Sequence, residues 1–260
     1  MQALLENSEE NTYTDDSLLG GRLIIRQPIQ GYRIAIDPLL LSAAISVEPG
    51  ESILDVGAGV GAAALCLAAR FPYCRVMGIE RQKDLVRLAT DNIRLNNLRD
   101  RVEVLHGDLQ SPPPRLAAGS YAQVISNPPY FETHRGRLSP VPSKSLSNHE
   151  ESSDMEAWLK FCLLMLKPSG KLTFIYRADM LDRLLHLFYG KVGDIKVFPL
   201  WPARAKSAKR VIVQGIKGTK GGVTLLNGMC LHNEDGSFTQ AADAILRNGD
   251  ALLLDSLSAS

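Results

Sequence analysis

No stretch of the 260-residue chain approaches the run of ~18 apolar residues that a membrane-spanning helix needs, so no membrane role is expected. Cysteine is scarce and scattered. Cys66, Cys74, Cys162 and Cys230 show no ligand-type pairing, which argues against zinc and against a disulfide framework and fits a reducing cytoplasm. A surplus of one charge is missing too: 29 basic and 28 acidic side chains leave a formal net charge of +1, so any surface for a polyanion has to be local. Met1 to Asp16 is polar and acidic, with neither a basic leader nor an apolar core, and residues 1–17 are expected to form a flexible tail and not a signal. What remains is ample for one core, because 45% of the residues are hydrophobic.

Two stretches stand out against this background. Ser52-Ile53-Leu54-Asp55-Val56 is an apolar strand that runs into Gly57-Ala58-Gly59-Val60-Gly61, and Ala62 to Arg70 follows as a helix apolar on every side. Glycines in such a turn let a backbone approach a ligand, and the helix N-terminus offers free N–H groups. The turn is a nucleotide cradle with two candidate cofactors, since Gly57, Gly59 and Ala62 also satisfy the G-x-G-x-x-G/A pattern of NAD-binding folds. Asp55, two residues before the first glycine, favours the other candidate. Its carboxylate is well placed for the ammonium end of S-adenosylmethionine and badly placed beside a pyrophosphate. Glu80, closing the strand Arg75 to Ile79, suits ribose hydroxyls in either case.

The second stretch is Ile125-Ser126-Asn127-Pro128-Pro129-Tyr130. Tyr121 to Ile125 reads as a buried strand, and the prolines forbid its continuation. It ends either as an ordinary strand-to-loop exit or as a device: an amide, unpaired carbonyls and a flat ring can together hold a planar amino-bearing group.

With Gly57, Gly59 and Gly61 upstream and Asn127 to Tyr130 downstream, the chain resembles the S-adenosylmethionine-dependent amino-methyltransferases of the N-P-P-Y type. Gly31-Tyr32-Arg33-Ile34-Ala35-Ile36-Asp37-Pro38 further resembles the entry segment of the bacterial tRNA adenine-N6 methyltransferases that modify valine tRNA beside its anticodon. The likeness runs from Gly31 nearly to the C-terminus. It implies a Rossmann-like α/β fold of class I: a seven-stranded mixed sheet with an antiparallel last strand and helices on both faces. It also implies methyl transfer to an exocyclic amine, with a single-stranded anticodon-loop adenine of tRNA as substrate and no metal. Asn127, Pro128, Pro129 and Tyr130 are then the catalytic set. Asp37, Asp55, Gly57, Ala58, Gly59, Gly61, Ala62, Glu80, Arg81, Asp108, Leu109 and Asn127 line the cofactor. Asp37 reads equally as a helix cap, and the plainer alternative for Asp108 is a turn former beside Gly107. Competing readings are a protein glutamine N5-methyltransferase, which is expected to carry a separate N-terminal helical domain not visible here, an rRNA or DNA amino-methyltransferase, and an S-adenosylmethionine-binding module without turnover.

The rest of the chain supplies the frame. Residues 18–48 are expected to form a hairpin, Leu23 to Arg26 with Tyr32 to Ile36, and a helix from Asp37-Pro38, together covering the cofactor. Residues 49–217 form the core, with helices at Arg81 to Asn97, Ser153 to Leu166 (ended by Pro168 and Gly170) and Asp179 to Tyr189. Strands are expected at Val102 to Leu105, Leu172 to Tyr176, Ile195 to Leu200 and Arg210 to Gly215. Residues 131–153 read as a mobile loop, either a lid on the substrate or an idle linker. Trp201 to Arg210 is the one strongly basic stretch, either a hairpin tip or a surface for RNA made by Trp201, Arg204, Lys206, Lys209 and Arg210, joined by Arg33 and Arg135. Residues 218–260 are expected to pack on the core as a C-terminal extension.

Overall fold

In the computed structural model, residues 12–31, 33–129 and 152–254 are described, the first three of the last segment by backbone only. Polar alternation opens the chain: β1 (Tyr13–Leu18) pairs antiparallel with β2 (Leu23–Pro28) through a turn at Leu19–Gly21. The expected hairpin of Leu23 to Arg26 with Tyr32 to Ile36 is therefore not the one formed, because β2 turns back on residues assigned to the tail. β2 is held on its other edge by a helix. In α3 (Lys83–Leu95) the Asn92 amide accepts from Arg26 N–H at 2.6 Å and donates to Arg26 C=O at 3.0 Å. Four residues on, beyond the last helical turn, Asn96 does the same for Ile24, at 2.9 and 2.7 Å. Two side-chain amides thus stand in for a neighbouring strand.

The main sheet takes its centre from β3 (Ser52–Val56), β4 (Arg75–Glu80), β5 (Val102–His106), β6 (Tyr121–Ser126) and β7 (Leu166–Arg177), all parallel, in the order β5-β4-β3-β6-β7. β9 (Arg210–Lys217) follows antiparallel to β7, and β8 (Val192–Ala203) antiparallel to β9. These are the seven strands expected. Two short strands, β10 (Val223–Leu225) and β11 (Met229–His232), extend the sheet by pairing parallel with successive halves of β8. Pro168 and Gly170 do not mark a free helix end. The helix stops at Met165, Leu166 pairs with Tyr121, and the ladder resumes only at Lys171 with Gln123, so the residues between form a bulge with Ser169 at φ 58°.

Both faces are covered. On one lie α1 (Asp37–Ala43), α2 (Ala62–Arg70) and α3, with Leu40, Leu41, Leu65 and Leu67 at 0% exposure; on the other lie α4 (Ser152–Met165) and α5 (Leu181–Phe188), packed on Val124, Leu172 and Phe174. The C-terminal segment wraps from the far edge back to the first face. After the short α6 (Gln240–Asp243) and a wide turn at Ala244–Asn248, Ile245, Leu246, Leu252 and Leu254 join the core there, and Leu252 N–H donates to Ala43 C=O at 2.9 Å. No described helix is long and apolar enough to cross a membrane.

Candidate active site

Parallel strands place their carboxyl ends on one edge of a sheet, and here that edge gathers the expected residues. Val56 of β3 faces Ser126 of β6 in the ladder, so Gly57 and Asn127 leave adjacent strands at the same level. A cross-brace holds them. Ser126 Oγ donates to Val56 C=O at 2.6 Å and itself accepts from Trp158 Nε1 on α4 at 3.0 Å. Gly57 sits at φ 76°, and a Cβ there would lie 2.9 Å from the Trp158 ring, so both the conformation and the contact demand glycine. On the other side of β3, the N–H groups of Gly57 and Ala58 donate to Ile79 C=O at 2.9 and 3.1 Å.

Two acids stand behind the turn. Gly59 N–H donates to Glu80 Oε2 at 3.0 Å and Gln82 N–H to Oε1 at 2.8 Å; burial raises this carboxyl above its usual range while those N–H groups pull it back. Asp55 is 2% exposed on the side of β3 that α2 covers. Burial, with the Glu80 charge second, pushes its carboxyl up to about 7 against a backbone donor at Ala64. Its Oδ2 has no hydrogen-bond partner among the described residues. A buried carboxylate oxygen with no donor is suited to a cationic group, and a second carboxylate beside a glycine turn to a diol, so these residues fit the ammonium and ribose ends of S-adenosylmethionine. Gly61, at φ 85°, leads into α2, whose first turn begins at Ala62.

Asp108 follows β5 one strand beyond Glu80, since Glu80 and His106 are partners in the ladder. It does form a turn, accepting from Gln110 N–H at 2.9 Å, and it remains half-buried with Leu109 on the same edge. The Arg81 side chain is exposed, and its carbonyl meets His106 Nε2 at 3.1 Å. Asn127 and Pro129 are half-buried and Pro128 is buried. Tyr130, Arg135 and residues 131–151 of the expected loop lie outside the described residues.

Asp37 does not cap α1. It is the first helical residue, after Ile36 at the cap position, and its carboxylate pairs at 3.0 Å with Arg210 at the start of β9. Arg210 is thereby set apart from the other basic residues of its turn. Arg33 is likewise engaged, donating to Thr14 Oγ1, Pro28 C=O and Asp16 Oδ2, each at 3.0 Å. Trp201 is half-buried at the end of β8 with Nε1 donating to Asn227 C=O at 3.2 Å, while Arg204, Lys206 and Lys209 are exposed.

Sequence reasoning did not single out Trp158, Ser126 or Asn92. The Asn92 amide also donates to Val60 C=O at 3.0 Å and so fixes the glycine turn from behind. Its signal was a polar residue four positions from Leu88 on an inward helical stripe. Trp158 carried none, because a tryptophan in an apolar helix reads as core. Among the described residues, no group of three His, Cys, Asp or Glu side chains is placed to hold a metal ion.

A family model described as the methyltransferase small domain matches residues 35–141. A tRNA1(Val) (adenine(37)-N6)-methyltransferase of Dyadobacter fermentans is 30% identical over 206 residues, covering 73% of this chain and 83% of the relative. The enzyme of the same name from Porphyromonas gingivalis is 32% identical over 192 residues, covering 69% and 72%. Among solved structures, a predicted O-methyltransferase from Agrobacterium tumefaciens superposes with a TM-score of 0.68 at 23% identity, over 84% of this chain and 98% of that one. An AdoMet complex of M. jannaschii TYW2 gives 0.57 at 18% identity, over 80% and 87%. These two structures share the fold.

Proposed function

The chain belongs to the tRNA1(Val) (adenine(37)-N6)-methyltransferase family, and from that premise we propose that it methylates N6 of an unpaired adenine in the anticodon loop of tRNA, at the cytoplasmic site of tRNA maturation. The observation that carries this reading is the register of β3 and β6, which sets the glycine turn and the Asn127 exit side by side at one sheet edge. When bound, S-adenosylmethionine supplies an electrophilic methyl group on a sulfonium, and the protein has only to hold the acceptor against it.

In this reading Asp55 Oδ2 takes the ammonium end, Glu80 takes the ribose hydroxyls, and Asp108 with Leu109 meets the adenine of the cofactor. The substrate amine is a poor nucleophile because its lone pair is delocalised into the ring. Accepting its two hydrogens at the Asn127 amide oxygen and the Pro128 carbonyl favours a pyramidal nitrogen with its lone pair available, and Tyr130 sets the plane of the base by stacking. Positioning of this kind supplies up to roughly 7 to 11 kcal/mol of barrier lowering in well-oriented systems. Transfer would leave the nitrogen with a methyl carbon in place of one proton, given up to water, and the spent donor as a neutral thioether. Unstacking the base costs little when it starts in a single-stranded loop.

Nucleosides from bulk tRNA, treated with the protein and labelled cofactor and resolved by mass spectrometry, are expected to show N6-methyladenosine. Asn127→Ala is expected to remove that product and to keep cofactor affinity within about threefold, because one neutral hydrogen-bond partner contributes little to binding. Product at the wild-type rate from the variant removes the catalytic assignment.

A further inference from the structure

The basic turn after β8 does not stand alone at its edge. β8 runs parallel to β7 and β11 runs parallel to β8, so the ends of all three point the same way as those of β3 and β6. His232 at the end of β11 pairs with Ala203. Between these ends lies a cavity of 620 Å³, lined by Trp201, Arg204 and Lys206 from one side and by His232, Asn233 and Glu234 from the other. It is a built wall and not a loose tip. Gly228, at φ 77°, brings the backbone so close that a Cβ would sit 2.8 Å from the indole nitrogen of Trp201, whose ring is further fixed by its bond to Asn227. His232 Nδ1 meets the Pro202 carbonyl at 2.8 Å. A carbonyl only accepts, so Nδ1 carries the proton and Nε2 of the neutral ring is an acceptor. One face of the imidazole is backed by Phe238, stacked with ring centroids 4.8 Å apart.

We propose that this cavity holds a second unpaired nucleotide of the substrate RNA, its base against Trp201 and His232 and its phosphate at Arg204 and Lys206. The inference rests on the RNA reading above. The chemistry matches: two ordered rings, one nitrogen acceptor and the Asn233 amide oxygen, whose NH2 group already donates to Ser237 Oγ and Phe238 C=O, suit the amino edge of a base, and neither cation meets a carboxylate within ion-pair distance among the described residues. Position matches as well. From β6 to β8 is three strand spacings and to β11 four, which puts the cavity roughly 14 to 19 Å along the edge from Asn127. A few nucleotides of unstacked strand span that gap, so the cavity acts as a ruler that selects which adenine reaches the crevice.

The test uses the anticodon stem-loop of valine tRNA with one abasic nucleotide placed at each loop position in turn, reading both binding and methylation. With the wild-type protein, one position other than the target is expected to weaken binding roughly tenfold when its base is removed. Trp201→Ala is expected to lose that discrimination while binding cofactor as before. Should Trp201→Ala fold poorly, Arg204→Glu with Lys206→Glu, both at exposed positions, is expected to weaken binding of the intact stem-loop and lower its salt slope by about two. If the wild type methylates the stem-loop but neither Trp201 nor the two cations affects any flanking position, the cavity proposal is overturned and the methyltransferase reading stands. If no RNA is methylated yet the Trp201-dependent position persists in binding, the cavity is upheld and the reaction is what falls.

Discussion

At the scale of single residues, Asp55 has the most to report. The unfolded chain gives up this proton near the usual 3.8 and the folded chain near about 7, so between those values the folded state holds the extra proton. Stability of the free protein is therefore expected to fall as pH rises across that window, the reverse of the ordinary salt-bridged aspartate. Asp55→Asn is expected to flatten that decline in thermal melts run from pH 4 to 8, and to weaken S-adenosylmethionine roughly 10- to 100-fold through loss of a charged partner. Titration calorimetry at pH 6 in two buffers of different ionisation heat is expected to show proton release on cofactor binding, absent in the variant. Equal heats in both buffers would mean that Asp55 is already ionised in the free protein. Gly57 gives a second residue-level prediction. Gly57→Ala has to meet both an unfavourable φ, about 1 to 2 kcal/mol, and the Trp158 ring. Trp158→Phe in the same chain is expected to relieve the second cost and leave the first, a double-mutant coupling that urea melts read directly.

Between elements, the decisive contacts are amides that no hydrophobic pattern displays. Asn92 is 0% exposed and satisfies three backbone groups, two on β2 and one in the glycine turn. Asn92→Ala is expected to cost roughly 2 to 4 kcal/mol, since it leaves those groups buried without partners, and Asn96→Ala at the more exposed end about 1 kcal/mol. Faster amide exchange confined to Ile24 and Arg26 would show the hairpin lifting off α3; unchanged exchange would mean that β2 is held by its apolar face alone. The same contacts explain what the sequence made legible. Ser52 to Arg70 and Tyr121 to Asn127 were readable because an apolar run stopped by glycine or proline has few other solutions, and the stripe Leu85, Ala89, Ile93 fixed α3. Tyr13–Leu18 was not readable as a strand: its sequence is polar, its exposure alternates between full and partial, and its only ladder partner among the described residues is β2. The Asp37–Arg210 pair joins residues 173 apart and left no local trace. For the same reason, Lys206 and Lys209 were grouped with Arg210, although the structure gives them different surroundings.

On the scale of the whole molecule, the C-terminal segment does two things that composition does not reveal. It lengthens the sheet beyond β8 and then closes the face over α1. Leu252 is 6% exposed against that face, and Leu252→Ala is expected to cost roughly 2 to 4 kcal/mol, measured as a lower urea midpoint with the slope unchanged. A variant with altered slope instead would point to the segment detaching as a unit. The N-terminal turn is held by the same closure: a side chain at Gly20 would strike the Arg247 carbonyl at 2.8 Å, and Arg22 Nη2 donates to the carbonyl of Asn248. On the ribosome the hairpin turn thus waits for residues 226 positions further along the chain. Until residues near 250 have left the exit tunnel, the hairpin and α1 lack their outer layer, and a nascent chain able to recognise cofactor early has no sealed floor beneath it. Emergence of that late segment is itself the event that closes this face.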